Sequence, residues 1–430
     1  MLKKLIGVGK TLAFSETARN TYWVLAGNGI ITVSAFLFTI LVARILTTFE
    51  FGIFSALSAF IVLFSDLADI GVGSTLYSFI PPLLKNGETG HAGKIFKTLF
   101  VFQIAVAAIL SLLIIILAES FSQLFFHNSA QAYLIRWSTF GVFSFIIMAF
   151  AVNALSSKQK FKQSTILYFI YAVPRIILII PFILLGSLNL TSSLVIYMMT
   201  SLPAAVLGFI MLPFDFAFAS FAKESIKDLF KFSGIMGISK LFMAVYSRLD
   251  VLMLISLGGA FETGIYSAAS RIASIYPLMI GSFGTVLAPK FSTYKTGHEA
   301  LSFLKKVIWA TLAFMVSILV FYFLAEPFVI ILFGNSYRDS IPVFKALLLT
   351  LLPFLATVPA VNLLIYTFRK PQLFAVICFM ALVCIFVSNL LLIPKLLRFG
   401  PVFGAGLAYS LILISSIAFD IWFFVREKKV

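Results

Sequence analysis

This sequence predicts an all-α membrane protein, with twelve transmembrane helices in two parallel-repeat six-helix lobes. Three observations carry that expectation. Hydrophobic residues make up 61% of the 430 residues and charged residues 11%, whereas a soluble domain is about half apolar and about a quarter charged. The apolar residues fall in blocks long enough, as helices, to cross ~30 Å of hydrocarbon. The chain also repeats itself: "FEFGIFSALS" at 49–58 returns as "FETGIYSAAS" at 261–270, identical at seven of ten positions and shifted by 212 residues.

Read in order, the apolar blocks place helices near 20–45, 51–80, 95–118, 133–156, 164–186 and 192–213. A second set follows near 233–258, 262–289, 303–325, 341–367, 372–394 and 403–425. Lys and Arg orient them, because cytoplasmic loops keep an excess of these residues. With the N-terminus inside, 22 of them fall on inner segments and 5 on outer segments or helix ends, so both termini are expected in the cytoplasm. The formal net charge of +16 is then topology, and nucleic acid is excluded as a partner. The first twenty residues show no small-residue cleavage site of a signal peptide.

The resulting division is a first lobe over 1–214, a cytoplasmic linker over 215–232 and a second lobe over 233–430. The linker contains "FAKESIKDLFKF", in which Phe221, Ile226, Leu229 and Phe230 alternate with Lys223, Lys227 and Lys231. That pattern predicts a short amphipathic helix on the membrane surface.

The repeat extends beyond its best ten residues. "FFHNS" at 125–129 corresponds to "LFGNS" at 332–336, and Asn153, Leu155 and Gln163 return as Asn362, Leu364 and Gln372. "IP" at 180–181 returns at 393–394. Six helices per copy is an even number, so both copies insert the same way up, and paired lobes of this kind form transporters with a midplane site. The motif falls at the outer turns into helices 2 and 8. There Gly52 and Gly264 are expected to allow a tight turn, and Glu50 and Glu262 to cap the helix N-termini.

Several stretches resemble a known family. "ARILTTFEFGIFS", "LADIGVGSTLYSFIP", "YSRLDVLML", "GIYSAASRI", "ILFGNSYRDSIPVFKAL" and "FGPVFGAGLAYSLI" look like polysaccharide repeat-unit flippases of the Wzx type. These belong to the multidrug/oligosaccharidyl-lipid/polysaccharide exporter superfamily. The resemblance covers nearly the whole chain and implies two six-helix bundles in the cell membrane. It further implies that a polyprenyl-diphosphate-linked oligosaccharide moves from the inner to the outer leaflet. Polysaccharide polymerase and glycosyltransferases are the implied protein partners, and no cofactor is implied.

Ionisable residues inside apolar spans are functional candidates by default. Arg175 lies midway along helix 5, Lys240 and Arg248 lie on helix 7, and Arg271 lies in helix 8. A diphosphate needs cations on its way across, and guanidinium forks suit phosphate oxygens. These four are the candidate substrate-binding residues of a central cavity. Arg175, with no acid nearby in sequence, is expected to face water there. Arg248 and Arg271 either do the same or pair with acids, and Lys240, about 12 Å from the inner end by helical rise, is placed to snorkel. Asp66, Asp69 and Asp250 either take a coupling proton or sodium ion or pair with the arginines.

Other patterns carry no chemistry. "VGKT" at 8–11 lacks the first P-loop glycine and any preceding strand. His91, His127 and His298 lie in separate loops, and Cys378 and Cys384 share one apolar block, so neither set makes a metal site. A drug or cation antiporter of the same fold is the alternative function, and it favours acids over arginines in the cavity. A membrane glycan polymerase or ligase is expected to present a sizeable outer loop, which the sequence lacks.

Overall fold

The computed structural model describes residues 16–212, 219–222, 226–294 and 296–427. Among these residues the regular structure is helical throughout, with no strand. The helices before the linker are α1 (Glu16–Ile45), α2 (Thr48–Asp69), α3 (Val72–Lys85), α4 (Thr89–Ile116), α5 (Ala118–Phe126), α6 (Ala132–Ser157), α7 (Phe161–Leu184), α8 (Leu190–Met199) and α9 (Ser201–Met211). Those after it are α10 (Ile226–Tyr246), α11 (Leu249–Gly258), α12 (Ala260–Ala273), α13 (Ile275–Phe291), α14 (Gly297–Phe323), α15 (Ala325–Phe333), α16 (Ser340–Asn362), α17 (Pro371–Leu396) and α18 (Gly400–Glu427).

Nine helical stretches among the described residues are long and apolar enough to cross a membrane. They number ten if the end of α10 and α11, bent by 42° at their junction, form one span. This count is below the twelve expected, in part because it treats the 56 residues Pro371–Arg426 as one stretch. A straight helix of that length would run about 84 Å, far beyond ~30 Å of hydrocarbon. The stretch in fact breaks at Leu397–Phe399, and α17 packs against α18. Large apolar side chains such as Ile116, Leu184, Trp309 and Phe323 stand at the surface. An apolar surface this extensive suits lipid and would be untenable in water.

By internal contacts the chain divides into two compact units. Unit 1 comprises residues 1–46 and 57–245, and unit 2 comprises residues 47–56 and 246–430. Within unit 1, one core gathers Leu76, Ile80, Phe96, Leu99, Leu155 and Leu229, and a second holds Met148, Tyr171, Ala172 and Ala204. Leu229 therefore points into protein. The described part of the expected linker helix, from Ile226 onward, is the opening of α10 rather than a separate surface helix, and Phe221 precedes it outside any helix. Residues 213–218 and 223–225 of that linker lie outside the described set.

Expected helix 2 breaks within unit 1. Ile70 and Gly71 both take left-handed backbone angles, φ 37° and 76°. Such a conformation is strained by roughly 1–2 kcal/mol for an L-residue with a side chain and is natural for glycine. Neighbours hold the break in place. The Ser233 hydroxyl donates to the Ile70 carbonyl at 2.6 Å, and the Asp69 carboxylate accepts the Gly73 N–H at 2.9 Å, capping α3. A Cβ on Gly71 would collide with the Ser233 backbone, so glycine answers a close approach here as well as a turn. These contacts fasten α10 to unit 1.

Unit 2 has its own core around Ala381, Ile385 and Ala408 on α17 and α18, with Tyr246 and Leu249 packed on it. Its first segment, residues 47–56, is held by aromatic contact as well as by backbone. Phe51 meets Tyr337 edge to face at 5.7 Å, and the Phe333 ring lies 5.6 Å from the same tyrosine. The Ser340 hydroxyl donates to the Ile265 carbonyl at 2.8 Å, joining α16 to α12.

Candidate functional site

The repeated motif builds a reciprocal contact inside unit 2. Gly52, in α2, lies so close to the backbone carbonyl of Ala260 that a Cβ would overlap its oxygen. Gly264, in α12, lies equally close to the carbonyl of Thr48. Each copy thus presents its glycine to the backbone that opens the other copy's helix. Both glycines sit in helix interiors with ordinary helical angles. Their role is close helix approach, not the tight turn expected from sequence.

The two acidic residues diverge. Glu50 completes a capping box with Thr47. Its Oε2 accepts from the Thr47 N–H at 3.0 Å and hydroxyl at 2.8 Å, while the Glu50 N–H donates to that hydroxyl's oxygen at 3.2 Å. Glu262 holds the equivalent third position of α12, but the cap residue there is Gly259, which has no side chain to share. Glu262 instead pairs with Arg398, Nε to Oε2 at 3.2 Å, and the other end of that guanidinium donates to Asp339 at 3.3 Å. Arg398, in the break between α17 and α18, thus joins the first turn of α12 to the N-cap of α16.

The four candidate cations fall in different surroundings. Lys240, in α10, forms an ion pair with Asp69 across the α2 break. It is half exposed and paired, which replaces the snorkelling expectation, and Asp69 is paired with a lysine rather than an arginine. Asp66, one turn earlier, is exposed. Arg248 lies at the junction of α10 and α11, where the chain leaves helical geometry. Its sequence neighbour Asp250 accepts a 2.6 Å hydrogen bond from the Tyr266 hydroxyl and a 2.8 Å bond from the Val251 N–H. No ion pair within 4 Å joins Arg248 to Asp250. Arg271 occupies the last turn of α12, partly buried, where a cation also complements the helix dipole.

Arg175 differs most from its expectation. It is 2% exposed within unit 1, so it does not face open water in this structure. Its guanidinium carbon lies 4.2 Å from the ring centre of Tyr171, 4.5 Å from that of Tyr197 and 5.4 Å from that of Phe38. Cation–π contacts are worth about 2 kcal/mol or more each when desolvated, and they offset part of the several-kcal/mol penalty of a buried charge. Tyr171 precedes Arg175 by one helical turn and was legible as its neighbour. Phe38 and Tyr197 arrive from α1 and α8, and no local pattern announces them.

No group of three or more His, Cys, Asp and Glu residues suited to a metal ion occurs among the described residues. The contacts within this site are ion pairs, helix caps and aromatic cation contacts.

Solved structures share this fold. An inward-facing multidrug resistance MATE family transporter of the MOP superfamily aligns with a TM-score of 0.72 at 14% identity, covering 93% of this chain and 96% of its own. The lipid II flippase MurJ, in an inward closed conformation, aligns with a TM-score of 0.73 at 13% identity, covering 94% and 89%. A MOP superfamily transporter from Pyrococcus furiosus aligns at 0.53 and 15% identity, covering 94% and 97%. No curated protein sequence matches the chain. The polysaccharide biosynthesis protein family matches residues 17–295, well over half of the sequence. With that match, and with a fold held in common with MOP superfamily transporters, this membrane protein belongs to the polysaccharide biosynthesis protein family.

Proposed function

We propose that the chain is a flippase for polyprenyl-diphosphate-linked oligosaccharide repeat units, carrying them from the inner to the outer leaflet by alternating access for surface polysaccharide synthesis. The observation that carries this reading is the polysaccharide biosynthesis family match over residues 17–295. The fold shared with a lipid II flippase supports it. Fold alone does not choose a substrate. Within this reading the protein is a transporter and not an enzyme, and polysaccharide polymerase and glycosyltransferases act before and after it.

The proposed architecture has twelve crossings. To the nine long apolar stretches it adds the bent α10–α11 helix and the α12–α13 pair, and it counts α17 and α18 separately. The lobes are 1–214 and 233–430 about the 215–232 linker, with both termini in the cytoplasm on the strength of the Lys and Arg distribution. Arg248 and Arg271 are the proposed contacts for the diphosphate, since one stands at the α10–α11 junction and the other in α12, and a guanidinium fork suits phosphate oxygens. Lys240 is engaged with Asp69 and is left out of that set.

The competing reading is a drug or cation antiporter, favoured by the MATE transporters of the same fold. The Pyrococcus furiosus transporter is described as having a binding pocket of reversed polarity that suggests a different function. In that protein pocket polarity is tied to function, and the arginines on the α10–α13 stretch here favour an anionic cargo. Deleting the gene in its host separates the two. The flippase reading expects lost surface polysaccharide and an accumulated lipid-linked precursor on the inner leaflet, reversed by the wild-type gene and not by a double Arg248→Ala, Arg271→Ala variant. Normal surface polysaccharide together with new sensitivity to cationic drugs would overturn it.

A further inference from the structure

Arg175 carries a donor edge that its surroundings leave unused. The side chain is buried in α7 of unit 1, and the rings of Tyr171, Tyr197 and Phe38 gather around its guanidinium. Phe145 locks the two tyrosines, edge to face with Tyr171 at 5.4 Å and near-parallel to Tyr197 at 5.5 Å. The Ser34 hydroxyl donates to the Ala172 carbonyl, pinning α1 to α7 one turn from the arginine. The cage is therefore braced by four helices of one unit.

Aromatic faces attract the cation as a whole, but they do not replace in-plane acceptors for its N–H bonds. Among the described residues, Nε and Nη2 of Arg175 are both buried and make no hydrogen bond, and no carboxylate lies within ion-pair distance. These two nitrogens share one edge of the guanidinium. Their N–H bonds run parallel and form the fork that takes two oxygens of a carboxylate or phosphoryl group at once. A fork left open inside a membrane protein is costly unless something anionic fills it. We propose that Arg175 and its aromatic cage form an oxyanion-binding site inside unit 1, taking a carboxylate or phosphoryl group. The site is distinct from the Arg248 and Arg271 contacts and depends on the flippase reading only for where the oxyanion comes from. That source is either an acidic sugar or the carrier's phosphate.

The test is thermal unfolding of the whole protein in detergent micelles, at constant ionic strength, with sodium glucuronate, sodium pyrophosphate or glucose. At a roughly tenfold excess over Kd the anion that fits should raise Tm by about 1–2 °C, and glucose should not. Arg175→Lys, which keeps the charge and loses the fork, should lose most of that rise, and Arg175→Gln all of it. Arg175→Lys alone decides the matter if the glutamine variant fails to fold. A rise with glucuronate alone assigns the site to a sugar carboxylate, and a rise with pyrophosphate alone assigns it to the carrier. No rise with either anion, or an equal rise in Arg175→Lys, overturns the proposal. Intact polysaccharide export with no anion binding counts against this site. Anion binding in a protein whose deletion leaves export normal counts against the flippase reading instead.

Discussion

Glu50 and Glu262 hold the same place in the repeat, the third residue of α2 and of α12, yet their bonding partners differ. Glu50 turns back onto Thr47 and closes its own helix end, while Glu262 reaches across to Arg398. The cause lies outside the repeated residues. The cap position is threonine in one copy and glycine in the other, and a capping box needs a side chain there. The glycines of the two copies behave alike, because each is pressed against a backbone carbonyl that no rotamer change can move. The motif thus fixes how closely the helices approach and leaves its acid free to be reassigned.

The glycine contact carries the largest expected effect. Gly52→Ala and Gly264→Ala should each destabilise the protein by about 3 kcal/mol or more, at the upper end of overpacking. Gly29→Ala, with open space around it, should be neutral or slightly stabilising. Thermal unfolding in micelles checks all three. If the contact is reciprocal, the double variant should lose little more than the worse single one, because parting the backbones once relieves both clashes. Additive losses would break the comparison at its root.

A smaller effect separates the acids. Glu262→Ala should lower stability by about 1–2 kcal/mol, between the ranges for exposed and buried ion pairs, since Glu262 and Arg398 are mostly but not fully buried. A double-mutant cycle with Arg398→Ala should show positive coupling. No coupling would mean that the two copies differ in geometry without differing in energy.

Glu50→Ala should cost least, about 0.5–1 kcal/mol, the lower part of the range for a helix cap. Its cycle with Thr47→Ala should show coupling, and a cycle of Glu50→Ala with Arg398→Ala should show none. Coupling between Glu50 and Arg398 would erase the difference between the copies.

The lipid-facing character of the chain and its repeat were legible because each rests on runs of residues along the sequence. The apolar blocks follow the bilayer's thickness, and the motif recurs at near-constant offset. Helix breaks were less legible. Gly71 is a visible candidate, but the strained Ile70 is held by Ser233 and Gly237, more than 160 residues away. The site shows the same division. Tyr171 could be placed beside Arg175 by helical spacing, whereas Phe38 and Tyr197 could not. Lys240 and Asp69 were each noted, but their pairing spans 171 residues and no local spacing records it. Sequence also read Arg175 as facing water, because an arginine with no nearby acid has no visible reason to be buried. The reason is a set of rings supplied by other helices.

Residues 47–56 belong to a unit whose remainder is made much later. The ribosome adds about 5–20 residues per second, so roughly 10–40 s separate the emergence of Gly52 from that of Gly264, which lies 212 positions on. During that interval the notch on α2 has no backbone to receive it, and the Phe51 ring stands without Tyr337. Insertion of the early helices therefore leaves a vacant groove in the nascent protein. Assembly of unit 2 closes on a segment already threaded through the bilayer, so the order of synthesis makes one of the oldest parts of the chain wait for one of the youngest.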